Sequence, residues 1–207
     1  VDDPYRDAKD RFTAMALGLL PSLEERVESS ADPFGAAVRL AIAGNVIDLG
    51  VNGDLTEEEA LRTMNSALDF PVAGDLDALA LAVRPARHIL YLADNAGEIV
   101  FDRPLIRALP PGRVTVAVRG APVINDAVAR DAIAAGIPEI ARLIDNGSDA
   151  PGTILADCSD EFRSEFENAD VIIAKGQGNY ETLCDENAPL FFLFKVKCQS
   201  VARHCAL

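Results

Sequence analysis

The chain has 207 residues, of which 49% are hydrophobic, and its formal net charge at pH 7 is −14. This apolar content suffices for a buried core, whereas the apolar runs are too short to cross a bilayer, so we expect no membrane partner. A surface this acidic repels a phosphate backbone and argues against a nucleic acid partner, although a bound cation can still attract a small anionic substrate into a pocket.

The first 85 residues have the spacing of helices. Apolar side chains between Ala8 and Val27 recur every three or four positions, as on one face of a helix. Pro21 interrupts this segment and is expected to kink or break the helix. A further helix is predicted over residues 76–83. Residues 1–85 are therefore interpreted as an N-terminal helical lobe.

Two helix-start signals lie inside this lobe. Asp32 followed by Pro33 is a typical pair of N-cap and first helical residue. The helix that it starts, residues 34–49, is apolar on nearly all sides and should be buried. Thr56 with Glu59 has the spacing of a capping box and predicts the start of another helix.

From Arg87 onward, short apolar runs alternate with helical segments. Predicted strands cover residues 88–93, 114–118, 141–144, 170–174 and 190–194, and predicted helices lie near 97–109, 126–135, 159–168 and 179–185. This alternation is typical of a mostly parallel sheet covered on both faces. We therefore predict an α/β fold, in which residues 86–207 form a three-layer α/β/α sandwich and the helical lobe is added at the N-terminus.

Oxygen-bearing side chains follow two of the predicted strands. Asp94 and Asn95 come directly after the first strand, and Asp126 follows the second. Ligands of open parallel sheets bind at the carboxyl ends of the strands. Two carboxylates and an amide carbonyl suit a divalent ion such as Mg²⁺, Mn²⁺, Co²⁺ or Ni²⁺. The alternative is structural, because Asp and Asn are also common in turns and Asp126 could simply cap the following helix.

Glycines at the same edge indicate a place for a phosphate. Gly97 lies at a predicted helix start, and Gly176 and Gly178 directly precede another predicted helix; glycines at such places let backbone amides approach an anion. The segment "GQGNYE" lacks the third glycine of a dinucleotide fingerprint and is a weak signal for that class. Lys175 precedes it and is expected either to meet the ligand or to extend to solvent. Further candidates for substrate contact are Glu98, Arg119 and Asn179.

Asn45 and Asp48 interrupt the apolar surface of the helix predicted over residues 34–49. They are three positions apart and share a helix face. A buried polar pair needs partners. One interpretation is hydrogen bonding between the lobe and the sheet, and the other is that the lobe brings both side chains to the substrate.

The cysteines and histidines exclude several site types. The four cysteines form no C-x-x-C pair, which argues against structural zinc, redox chemistry and a disulfide framework. Two histidines give little material for a histidine metal site or a Ser-His-Asp triad. Reduced thiols are the simplest reading, and we expect a cytoplasmic protein.

Five segments together resemble a known family. They are "LAIAGNVIDLG" (40–50), "DNAGEIVFDRPLI" (94–106), "GAPVINDAV" (120–128), "ADVIIAKGQGNYETL" (169–183) and "FFLFKVKC" (191–198). In this order they resemble the damage-control phosphatases, also called the acidic-residue methyltransferase-like metal-binding domain, in their compact prokaryotic type.

The resemblance implies a helical lobe on an α/β/α sandwich and a metal-dependent phosphatase acting on small phosphorylated metabolites, notably sugar phosphates and damaged cofactor intermediates. It implies that Asp94, Asn95 and Asp126 bind the metal and that Lys175 contacts phosphate. Asn45 and Asp48 match the family's helical motif. Asp94, Asp126 and Lys175 are thus the predicted catalytic residues.

Two other function classes stay open from sequence. One is a non-catalytic protein that binds a metabolite or nucleotide in the same pocket. The other is a carboxyl methyltransferase that uses S-adenosylmethionine, although the loop "DNAGEI" has a single glycine where an acidic, glycine-rich loop would be expected.

Overall fold

A computed structural model describes residues 2–44, 56–196, 202 and 204 of the chain. The described residues before 86 contain helices α1 (Arg6–Glu28), α2 (Pro33–Gly44), α3 (Glu57–Ala67) and α4 (Leu76–Val83). No helix in these described ranges is both long and apolar enough to span a membrane.

The predicted helix starts of the lobe are confirmed. The Asp32 carboxylate accepts a hydrogen bond from the backbone N–H of Gly35 at 2.9 Å, in the first turn of α2. Thr56 and Glu59 form the complete capping box at the start of α3. Each cap gives a partner to amide groups that the first helical turn leaves without one.

The predicted break at Pro21 is wrong, because α1 continues through this residue to Glu28. Proline removes one helical hydrogen bond and opposes the preceding carbonyl. Pro21 is exposed, whereas Leu20 and Leu23 on the other side of the helix are buried. The continuous apolar face of α1 therefore outweighs the local cost of the proline.

The five strands form one parallel sheet, as the alternating pattern predicted. The strands are β1 (Ile89–Leu92), β2 (Val114–Val118), β3 (Arg142–Asp145), β4 (Val171–Lys175) and β5 (Leu190–Leu193). The helices between them are α5 (Glu98–Ala108), α6 (Ala129–Ala134), α7 (Asp160–Asn168) and α8 (Gly176–Leu183). The order β3-β2-β1-β4-β5 reverses between β1 and β4, and every neighbouring pair is parallel.

Alternate residues of the central strands belong to two apolar clusters, one on each face of the sheet. Ile89 and Tyr91 of β1 belong to the cluster that contains residues of α1, α2 and α5. Leu90 and Leu92 belong to the cluster that contains Phe162 of α7 and Leu183 of α8. The three-layer α/β/α architecture is therefore confirmed.

The helical lobe and the sheet share one of these clusters, since α2 packs along α5. The predicted boundary between residues 85 and 86 stays a prediction. Cys158 and Cys184 are free thiols, as expected, whereas the other two cysteines lie outside the described residues.

Candidate active site at the sheet switch point

Two loops that carry the predicted metal ligands are joined at the carboxyl edge of the sheet. Asp94 and Asn95 follow β1, and Asp126 follows β2. Asn95 and Asp126 pair as an isolated antiparallel bridge, and the N–H of Ala127 donates to the Asp94 carbonyl at 2.7 Å. The site lies beside the boundary between β1 and β4, where the strand order reverses and open sheets bind ligands.

The alternative that Asp126 caps a helix is wrong. Helix α6 begins at Ala129, and the Asp131 carboxylate, not that of Asp126, accepts the N–H of Val128 at its start. The Asp126 carboxylate instead accepts a hydrogen bond from Nε of Arg119 at 2.7 Å.

The turn after β4 meets the loop after β1 in direct contact. Gly176 has a φ of +80°, and a Cβ added there would overlap the Asp94 carboxylate. Gly97 has a φ of +76°, and a Cβ there would overlap the ring of Phe12 from α1. Both positions therefore require glycine for close packing within the protein. The expectation that their amides contact phosphate stays a prediction.

The Asn95 amide is held between two carboxylates. Its Nδ2 donates to Oδ2 of Asp94 and to Oε2 of Glu98, each at 2.9 Å. Glu98 is the first residue of α5, and its side chain is fully buried. Because Nδ2 faces these acids, the amide oxygen of Asn95 faces away from them.

Lys175 does not extend to solvent, so this alternative is wrong. Its side chain is 0% exposed, and its ammonium lies 2.7 Å from Glu98 Oε1 and 2.5 Å from Asp102 Oδ1. Burial alone would lower the Lys175 pKa, but the charges of Asp102 and Glu98 outweigh this effect and raise the pKa above its usual value. Its predicted contact with phosphate stays a prediction.

Arg119 joins the second loop to the rest of the site. Besides Asp126, its guanidinium donates to Oγ1 of Thr153 at 3.1 Å and to Oδ1 of Asn179 at 3.2 Å. The Asn179 amide also donates to the carbonyl of Lys175 at 2.7 Å. Arg119 and Asn179 are thus buried at the predicted place, and both hold other site residues. Their predicted substrate contact stays a prediction.

Burial dominates the electrostatics of the two predicted carboxylate ligands, and repulsion between acids adds to it. Burial, followed by the charges of Glu98 and Asp126, raises the pKa of Asp94 well above its usual range. Burial also raises the pKa of Asp126, while Arg119 opposes the shift. A cation placed among these groups would offset both the repulsion and the lost hydration.

The donor set fits a hard divalent ion. Asp94 and Asp126 offer carboxylate oxygens, and Asn95 offers an amide oxygen. In the part of the chain that the structure describes, no three side chains of His, Cys, Asp or Glu are grouped to hold a metal. The predicted metal ligands include only two residues of these types, Asp94 and Asp126. The other ligands of the ion would be the amide oxygen of Asn95 and oxygen atoms of water or substrate.

The sequence interpretation missed three residues near the site. Two are Thr153 and Asp102, described above. The third is Lys9 of α1, which is 2% exposed, lies 3.0 Å from Asp3 and exerts a charge effect that lowers the Asp126 pKa. Lys9 precedes Phe12 by three positions and therefore lies on the buried face of α1. This spacing could have identified it from the sequence as a buried lysine.

Asn45 and Asp48 lie outside the described residues, so their predicted substrate contact stays a prediction. The described part of α2 ends at Gly44, where an added Cβ would lie 3.1 Å from Cγ of Glu98. The end of α2 therefore contacts the buried side of the site.

Comparison with known proteins finds relatives that match nearly the whole chain. The family model described as the damage-control phosphatase ARMT1-like domain matches residues 1–206. A damage-control phosphatase of Archaeoglobus fulgidus is 40% identical over 210 residues, which are 98% of this chain and 72% of that protein. The damage-control phosphatase PH1575 of Pyrococcus horikoshii is 38% identical over 208 residues, covering 98% and 70%.

A solved structure extends the likeness to the fold. The crystal structure of the DUF89 family protein PH1575 from Pyrococcus horikoshii superposes with a TM-score of 0.90 at 37% identity. The alignment covers 100% of this chain and 72% of that one.

Proposed function

Because the chain belongs to the damage-control phosphatase ARMT1-like family, we propose that it is a metal-dependent phosphatase that hydrolyses phosphomonoesters of small metabolites. Family membership supports a phosphatase role in metabolite repair. The proposed substrates are sugar phosphates or damaged phosphorylated cofactor intermediates. The observation that carries the proposal is the convergence of Asp94, Asn95 and Asp126 at the switch point of the sheet.

Asp94, Asn95 and Asp126 would hold the ion, with Mg²⁺, Mn²⁺, Co²⁺ and Ni²⁺ as candidates. Such an ion, when bound, supplies Lewis acidity towards a phosphoryl oxygen and lowers the pKa of water. Arg119 favours the ionised form of Asp126, because its guanidinium donates directly to that carboxylate. Either Asp94 or Asp126 can then accept a hydrogen bond from the attacking water and orient it.

The start of α8 supports binding of the transferred group. This helix begins at Gly176, directly after β4 and against Asp94, so its first amides lie at the carboxyl edge of the sheet. Helix amino ends attract phosphate through these amides and the helix dipole. Gly97 precedes α5 at the same edge. These amides would stabilise negative charge on the phosphoryl group.

The direct test is hydrolysis of p-nitrophenyl phosphate and of a panel of sugar and cofactor phosphates. Each of the four metals is added to metal-stripped protein, and Asp94→Ala is assayed beside the wild type. We expect turnover only with metal and its loss in Asp94→Ala. Absence of metal-dependent turnover on every phosphomonoester would contradict the proposal. Tight metabolite binding without product would then favour the non-catalytic alternative, and binding of S-adenosylmethionine would favour the methyltransferase.

A further inference from the structure

Three charged side chains lie fully buried behind the candidate site. Glu98 and Asp102 of α5 and Lys175 of β4 are each 0% exposed. Glu98 and Asp102 are four positions apart on one face of the helix, where two acids repel each other. The Lys175 ammonium lies between them and contacts both. These contacts make the arrangement possible in the interior.

Stability alone explains this cluster poorly. Buried ion pairs are often no more stabilising than well-packed apolar side chains of similar volume. The Tyr91 hydroxyl interacts with Asp102 in the same interior, although their contact lacks regular hydrogen-bond geometry. A fully buried group of charged and polar side chains is therefore held together here at a cost in hydration that apolar packing would avoid.

The cluster continues into the candidate site through one unbroken series of contacts. The Lys175 ammonium lies 2.5 Å from Asp102 Oδ1 and 2.7 Å from Glu98 Oε1. The other oxygen of Glu98 accepts from Nδ2 of Asn95 at 2.9 Å, and the same Nδ2 donates to Asp94 at 2.9 Å. The series therefore links Asp102 to a predicted metal ligand.

The orientation of the Asn95 amide decides whether it can bind a cation. The carbonyl oxygen is a hard ligand, whereas the NH₂ group is a donor with no lone pair for a metal. Glu98 and Asp94 both take the NH₂ group, which leaves the oxygen for the other side. Without Asp102, the three N–H groups of Lys175 would be free to use both oxygens of Glu98 and would compete with the Asn95 amide.

We propose that Asp102 is a positioning residue, which holds Lys175 against one oxygen of Glu98 and thereby fixes the Asn95 amide with its oxygen presented to the cation. This inference rests on the proposed function, since it concerns the same predicted metal site. It gives Lys175 a role that needs no contact with phosphate.

The test is Mn²⁺ affinity without substrate, measured from the electron paramagnetic resonance signal of free Mn²⁺. Asp102→Asn keeps the shape of the side chain and removes its charge. We expect it to weaken Mn²⁺ binding by about 10-fold, the lower end of the effect of losing a direct partner of a metal ligand, because Asp102 acts on Asn95 through Lys175 and Glu98. In a Lys175→Met background, the same substitution should have no further effect, because Asp102 acts through Lys175.

A matched control separates positioning from general destabilisation. Asp170→Asn removes charged hydrogen bonds to the backbone of Arg87 and His88, at the opposite edge of the sheet. We expect it to lower the melting temperature and to leave Mn²⁺ affinity unchanged. Wild-type affinity in folded Asp102→Asn, or an equal loss with and without Lys175, would overturn the inference and leave the proposed function intact. Failure of the wild type to bind any divalent ion would overturn both.

A second measurement does not depend on the folding of any variant at Asp102. In metal-free wild-type protein labelled with ¹⁵N-asparagine, both side-chain amide protons of Asn95 should be shifted downfield and protected from exchange with solvent. Asn95→Ser assigns the signals. Asn95 amide protons that exchange as fast as those of an exposed asparagine would overturn the inference.

Discussion

Gly176→Ala tests the contact between the turn after β4 and the loop after β1. Gly176 has a φ of +80°, a conformation that costs an alanine about 1–2 kcal/mol. The new Cβ would also overlap the Asp94 carboxylate, which must then move. Moving it breaks the 2.9 Å hydrogen bond from Asn95, a bond to a charged group that is worth about 1.5–3 kcal/mol.

Together these costs lower the free energy of unfolding by roughly 2.5–5 kcal/mol. Urea denaturation of metal-free protein measures this loss. Because Asp94 is a predicted metal ligand, we also expect the kcat/KM of metal-dependent phosphatase activity to fall at least ~100-fold. This loss is at the upper end of the effect of replacing a residue that only hydrogen-bonds to a metal ligand.

Gly178→Ala is the matched control in the same helix. Its added Cβ would lie 3.4 Å from the backbone N of Gly152, an ordinary contact, and an alanine inside a helix gains about 0.5–1 kcal/mol over glycine. This variant should be at least as stable as the wild type. If Gly176→Ala behaves like Gly178→Ala, the close approach of Gly176 to Asp94 is refuted.

Three further predictions concern the ion pairs around the site. Arg119→Lys replaces a guanidinium that donates to three side chains by a single ammonium. Urea denaturation should show that the free energy of unfolding falls by about 2 kcal/mol. An unchanged denaturation midpoint would contradict the role of Arg119 in linking these side chains. Asp131→Ala removes the cap of α6 and a 2.7 Å partner of Arg6. The free energy of unfolding should fall by roughly 3 kcal/mol. A loss no larger than that of an Asp→Ala variant at an exposed position would contradict this prediction. Burial raises the pKa of Asp102 to about 6, so native Asp102 holds its proton more tightly than the unfolded chain does. The stability of the wild type relative to Asp102→Asn should therefore fall as pH rises from about 4 to 6, and a flat difference would contradict the shift.

The fold was largely readable from sequence because strands buried on both faces are continuous apolar runs. The predicted strand over residues 114–118 matches β2, and the other strands agree within two residues at each end. The strand order was not readable, since the apolar pattern does not say where the chain crosses from β3 back to β4. The expected break at Pro21 was wrong because local propensity ignores the apolar face that α1 buries.

The convergence of Asp94, Asn95 and Asp126 was predictable because parallel strands present their carboxyl ends at one edge. The partners of these residues were harder to find. Thr153 comes from a loop between β3 and α7 with no periodic pattern. The acids Glu98 and Asp102, four apart on one face of an otherwise apolar helix segment, were a usable signal, since acids at this spacing repel each other and a nearby cation relieves the repulsion.

The central claim is that one divalent ion binds between the loops after β1 and β2. The most direct measurement is anomalous diffraction from crystals grown with Mn²⁺. We predict one peak bonded to oxygens of Asp94, Asn95 and Asp126 at about 2.0–2.6 Å. A fully occupied Mn²⁺ elsewhere, or no peak among these three side chains at saturating Mn²⁺, would contradict the claim.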